Sequence, residues 1–241
     1  MTEQEWQECV ELASGGEWPI PRELISDYNN WLCRSSVGRA LFFREQIEEA
    51  MLVLSTIVEV VPSEAVPASG MSEVEHKILC LRDLAKIVWG LTANAEAALR
   101  FWDEAVERCA NWQHPFNSVA RGEISYGRLV MLLAARQPAA VTAGVQAMIT
   151  SERFEREQVN SYRYFGYKFM AEKEFALKNY QKAALLYEQA FAYYPKSAAG
   201  LRDEVTAKAL PDAEERCHKF QAMSSMQYLQ WDLTPAAVIR R

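Results

Sequence analysis

From residue 2 onward, apolar positions recur mostly every three or four residues, the period of one face of an α-helix. The pattern predicts helices over residues 2–14, about 22–34, 37–61, 72–91, 95–112, 117–136, 138–150, 153–177, 180–194, 197–209 and 211–230. The helix over 37–61 is long: Leu41, Ile47, Met51, Leu54 and Val58 keep the spacing, with one gap, until Pro62 stops it. Gly15-Gly16, Thr92-Ala93-Asn94, His114-Pro115, Gln137-Pro138, Asn179, Pro195 and Pro211 mark the other breaks. Ser72 with Glu75 three residues on gives a capping-box start. No stretch alternates apolar and polar residues for long enough to predict a strand. Short connections leave consecutive helices as antiparallel neighbours. The segment 62–70, PSEAVPASG, joins hairpins rather than domains, so the chain is expected to form one helical domain over 1–241.

Composition agrees with that pattern. The 241 residues include only 10 Gly and 9 Pro, too few for the turns that sandwiches and barrels need about every 8–12 residues. The formal charge of −6 argues against a nucleic-acid partner, which requires a dense basic surface. Five widely spaced cysteines, with no Cys-x-x-Cys pair, read as reduced thiols. The beginning, MTEQEWQECVELA, is acidic and amphipathic and lacks the features of a secretory signal. The strongest apolar run, Ala50 to Val61, is shorter than the roughly 20 residues a bilayer requires. A cytoplasmic protein with no membrane partner is expected.

Internal repetition separates a bundle from a repeat array. Within KFMAEKEFALKNYQKAALLYEQAFAYYPKS, Ala171 is followed by Tyr180, Ala183, Tyr187, Ala190 and Pro195. Small residues allow two antiparallel helices to approach, aromatics fill the adjoining holes, and the proline ends the second helix. This segment resembles a tetratricopeptide repeat, with Tyr167 and Met170 where that family has an aromatic and a leucine; Glu174 stands where an aromatic is usual, and Phe175 substitutes for it. Ala98, Trp102 and Ala105 repeat the small, aromatic, small spacing. Ala140, Gly144 and Ala147 keep the small positions, and Ala50, Leu54, Ile57 and Pro62 keep the aliphatic and proline positions. The intervals between Ala50, Ala98, Ala140 and Ala183 exceed the roughly 34 residues of the standard repeat. The resemblance, strongest over 160–195, implies an all-α, right-handed superhelix of about eleven helices: divergent N-terminal helices in 1–70, repeat hairpins in 71–195 and C-terminal capping helices in 196–241.

Such arrays bind through the concave face lined by the first helix of each hairpin. If Ala85, Gly127 and Ala171 mark the packing positions of three first helices, the inner face carries Arg82 and Lys86, Arg121 and Arg128, then Phe165, Lys168 and Glu172. Five of these are basic in an acidic chain. The expected partner is a protein or peptide of acidic character, held by charge-assisted hydrogen bonds. Glu172 and Phe169 occupy two positions where that family's carboxylate clamps place Lys and Asn, so a clamp of the usual type is not expected. The aromatic run 161–169, SYRYFGYKF, reads as packing between hairpins.

No Gly-rich phosphate loop, Gly-x-Ser-x-Gly elbow or His-Glu-x-x-His motif is present, so a non-enzymatic scaffold or adaptor without a cofactor is expected. Two alternatives stay open. Glu73-x-x-His76 and Glu215-x-x-His218 match the pair that ferritin-like di-iron bundles place on two helices, with Glu48 or Glu49 and Glu172 or Glu188 to complete the set. The other is a peptide-sensing regulator or a secretion or assembly chaperone, although residues 22–61 are too acidic for a DNA-recognition helix.

Overall fold

The computed structural model describes residues 1–14, 31–59, 73–111, 118–150, 156–193, 212–224 and 233–240. All regular structure among them is α-helical, in eleven helices. The chain divides into two compact units, Met1–Gln113 and His114–Arg241.

The first unit holds α1 (Glu3–Ser14), α2 (Trp31–Phe43), α3 (Ile47–Val58), α4 (Glu73–Thr92) and α5 (Ala95–Asn111). Helices α2 and α3 form one hairpin and α4 and α5 another; α4 also packs against α2 and α3, and α1 against α2. The expected single helix over 37–61 is therefore two. Glu45 adopts a left-handed backbone with φ 65°. Its N–H donates to Phe42 O and that of Gln46 to Leu41 O, which closes α2 as a Schellman motif before α3 begins. Apolar spacing continues across this turn, and no Gly or Pro marks it. Burial of Val37, Leu41, Ala50, Leu54 and Ile57 favours the hairpin over one solvated rod. Gly38 permits the close approach, because a Cβ there would lie 2.8 Å from Leu54 Cδ2. The predicted linker 62–70 and most of the predicted helix 22–34 lie outside the described residues.

The second unit holds α6 (Ser118–Ala134), α7 (Pro138–Thr150), α8 (Arg156–Ala176), α9 (Tyr180–Ala192), α10 (Ala213–Ser224) and α11 (Pro235–Arg240). Helix α8 is central and packs against α6, α7, α9 and α11. Helix α10 packs on α9, where Phe220 stacks on Tyr187 and Phe191 with ring centroids 5.2 and 5.3 Å apart. Ala171, Ala183, Ala184, Tyr187 and Cys217 complete that core, with Phe175 against it. Phe175 meets the ring of Tyr180 at 5.5 Å. The predicted helix 197–209 lies outside the described residues, and α11 was not expected.

One turn recurs in all four hairpins. Glu45, Ala93, Arg136 and Lys178 each take a left-handed backbone, with φ between 51° and 65°. At Arg136 and Lys178, as at Glu45, paired bonds complete the Schellman pattern; at Ala93 a single bond from its N–H to Trp89 O does the work. The next residue is an amide each time: Gln46, Asn94, Gln137 and Asn179. Its carbonyl accepts the first backbone bond of the second helix, from Ala50, Ala98, Val141 and Ala183. Three of these four donors are the anchors read from the sequence. The third differs: Val141, Val145 and Met148 are buried, whereas Ala140 and Gly144 are half-exposed and Ala147 is exposed. Alignment on small residues therefore set this copy one position out of register. A valine fills the site that alanine fills elsewhere.

Candidate functional site

In the first unit, the expected binding residues Arg82 and Lys86 lie half-buried on α4 beside Asp83, whose exposure is 0%. Arg82 Nε donates to Asp83 Oδ1 at 2.8 Å, and Arg39 Nη1 of α2 lies 3.8 Å from Oδ2. Burial alone would raise the Asp83 pKa. The Arg82, Arg39 and Lys86 charges outweigh it and hold the carboxyl below the ordinary range. Arg82 therefore braces a buried carboxylate as well as edging the helix surface.

One turn away, α2 and α4 share a second polar contact. Ser35 Oγ and His76 Nδ1 are 2.7 Å apart, Ser35 Oγ lies 3.8 Å from Cys80 Sγ, and the Trp31 ring meets His76 edge-on at 5.0 Å. Trp31, Ser35 and Arg39 face His76, Cys80 and Asp83 because helical neighbours recur every three or four residues. Burial, with Arg39 nearby, lowers the His76 pKa to about 4, so the ring is neutral near pH 7. Burial pushes the Cys80 thiol up to about 12. A Ser-His pair is the beginning of a nucleophile-base arrangement, but Ser35 is fully buried and its hydroxyl faces protein. The geometry joins two helices. No local motif announces it, since the partners are 41 residues apart.

In the second unit, Arg121, Phe165 and Lys168 are only 1%, 2% and 7% exposed, while Arg128 is half-buried. The turn register explains part of this. Ala171 lies seven residues before the left-handed Lys178, and the matching α6 position before Arg136 is Leu129 rather than Gly127. The inner-face positions inferred for α6 shift accordingly, and Tyr126 becomes the counterpart of Lys168. These two do meet: Lys168 Nζ lies 5.1 Å from the Tyr126 ring centroid and 5.9 Å from that of Phe165. Lys168 pairs with Glu172 one turn on at 3.7 Å, and the Tyr126 hydroxyl donates to Glu172 Oε2. Gly122 lets α6 approach α8, because a Cβ would come within 2.5 Å of Phe165 and Ser161 side-chain atoms. Of the residues expected to line a groove, Phe165 and Lys168 are thus brought together as inter-helix packing.

The residues of the di-iron alternative divide between the units. Glu73 and His76 lie in the first, and Glu215 and His218 in the second. His76 is engaged by Ser35 and Trp31, and Glu172 by Tyr126 and Lys168. The largely exposed His218 approaches Glu214 at 3.9 Å and the Phe175 ring at 5.1 Å. Among the described residues, no three His, Cys, Asp or Glu side chains gather where they could hold a metal ion. All five cysteines are unbridged and buried. No described helix is long and apolar enough to cross a membrane. No family model, curated protein or solved structure matches this chain.

Proposed function

We propose that this protein is a non-enzymatic scaffold that binds a protein or peptide through the first helices of stacked, tetratricopeptide-like hairpins. The observation that carries this reading is the recurrence of one turn, left-handed residue then Gln or Asn, at four places along the chain. A helix pair repeated in this way buries each hairpin against its neighbours and leaves one helix row as a preorganised surface. The right-handed superhelix and the cytoplasmic setting belong to the same proposal. No cofactor, nucleic acid or membrane enters it. Arg82, Lys86 and Arg128, which are half-exposed basic residues on first helices, favour an acidic partner.

Selection of random displayed peptides on the immobilised full chain tests the reading. Enrichment of Asp- and Glu-containing peptides is expected. Affinity for a selected peptide should fall about tenfold or more in R128E, a loss of about 1.4 kcal/mol or more. Arg128 is half-exposed, so unchanged circular dichroism should accompany the loss. No enrichment, or equal affinity in R128E, rejects an acidic-peptide scaffold.

A further inference from the structure

The short helix α11, PAAVIR, packs against α6 and α8, the first helices of the two hairpins in its unit. Pro235 and Ala236 are buried, the latter 6% exposed, while Ile239 remains exposed. Thr234 caps this helix: its Oγ1 accepts from the Ala237 N–H at 3.2 Å. The attachment is slight compared with that of α9, which buries Ala183, Ala184, Tyr187, Ala190 and Phe191. Elements that bury few apolar groups open locally at low free energy.

We propose that residues 233–240 are an intramolecular stand-in for the partner, seated on the α6–α8 pair until a partner segment of like chemistry displaces them. This rests on the scaffold reading above and names its regulation. The occupant that fits is a short helix with a small apolar face of Pro, Ala and Val type, like that of α11 itself. While the stand-in is seated, the partner's apparent affinity is reduced by the fraction of open molecules.

The test uses the full chain and a fluorescein-labelled peptide, WDLTPAAVIRR, copying residues 231–241. A236D places a carboxylate at a buried alanine and should unseat the segment, so the peptide should bind this variant at least tenfold more tightly than wild type by fluorescence anisotropy. T234A, which only removes the cap, should give a gain of a few fold. I239D, altered at an exposed position, should bind as wild type does. Equal affinities across the set overturn the proposal. A large loss of helix content or melting temperature in both A236D and T234A also overturns it, by making α11 a structural strut. A236D that dimerises without gaining peptide affinity assigns the face to a second copy instead. Library-selected peptides that bind wild type and A236D equally leave the scaffold standing while removing the stand-in; failure of selection on both removes the scaffold itself.

Discussion

The α2–α4 interface of the first unit and the α6–α8 interface of the second each bury charge between first helices, in different ways. In the first, one carboxylate is shared: Asp83 is fully buried with Arg82 and Arg39 on its oxygens and Lys86 nearby. In the second, Lys168 and Glu172 pair along a single helix, and Tyr126 of α6 donates to the same carboxylate. At Asp83 several cations face one carboxylate, whereas Lys168 and Glu172 face each other as opposite charges. The difference also shows why basic residues on first helices cannot be assigned to a groove by charge alone. Some are consumed in joining hairpins.

The sharpest way to break this comparison is to remove single charges. Asp83→Ala should cost about 3–5 kcal/mol, because it leaves neighbouring cations without their counter-ion. Arg82→Ala should cost only about 1 kcal/mol, since Arg39 and Lys86 remain. In the second unit, Lys168→Met and Glu172→Gln should cost similar amounts, about 2–3 kcal/mol each, and the double variant should recover part of the sum. Urea denaturation of the full chain reads all five. Equal losses for D83A and R82A would show that Asp83 is not a shared centre.

A pH titration sharpens the account of the first unit next. His76 titrates at about 4 when folded, against 6.5 for the ordinary side chain. Between these values the unfolded chain binds more protons, so stability is full above about pH 6.5 and falls as acid is added. The full loss, reached near pH 4, is about 3 kcal/mol at about 1.4 kcal/mol per pH unit. Asp83 acts in the same direction, but its depressed pKa places its loss below the ordinary value of 3.8. H76F should flatten the window from 6.5 to 4 and leave the steeper loss below it. An unchanged slope in H76F would move the acid sensitivity elsewhere.

How far the sequence is legible follows from what each feature depends on. The hairpins around Ala98 and Ala183 were readable because local spacing alone places Trp102, Ala105, Tyr187 and Ala190 in the core. Repeat spacing assigns Lys168 and Arg121 to an open face, yet they are buried. Their environment is set by a neighbouring helix, and no spacing within one helix reports that. The Ser35–His76 contact was invisible for the same reason. A stronger signal in the chain is Gln or Asn four residues before a buried Ala or Val, at 46, 94, 137 and 179.

That signal leads to the smallest expected effect. The split of residues 37–61 into α2 and α3 leaves no mark in the apolar spacing, because Glu45 stands where such a turn ordinarily carries glycine, and Ala93, Arg136 and Lys178 do likewise. A left-handed backbone costs a residue with a Cβ roughly 1 kcal/mol, while glycine regains flexibility on unfolding, which offsets some of the gain. Lys178→Gly and Glu45→Gly should therefore each stabilise the chain by about 0.5 kcal/mol. Proline at the same positions cannot take a positive φ and would remove the N–H that donates to Phe175 O or Phe42 O, so it should destabilise by about 3 kcal/mol. Thermal melts of the glycine and proline variants, one turn in each unit, measure both signs. Destabilisation by glycine at both turns would mean that these residues are held in place by something other than the turn, and the four hairpins would lose the feature that makes them one repeat.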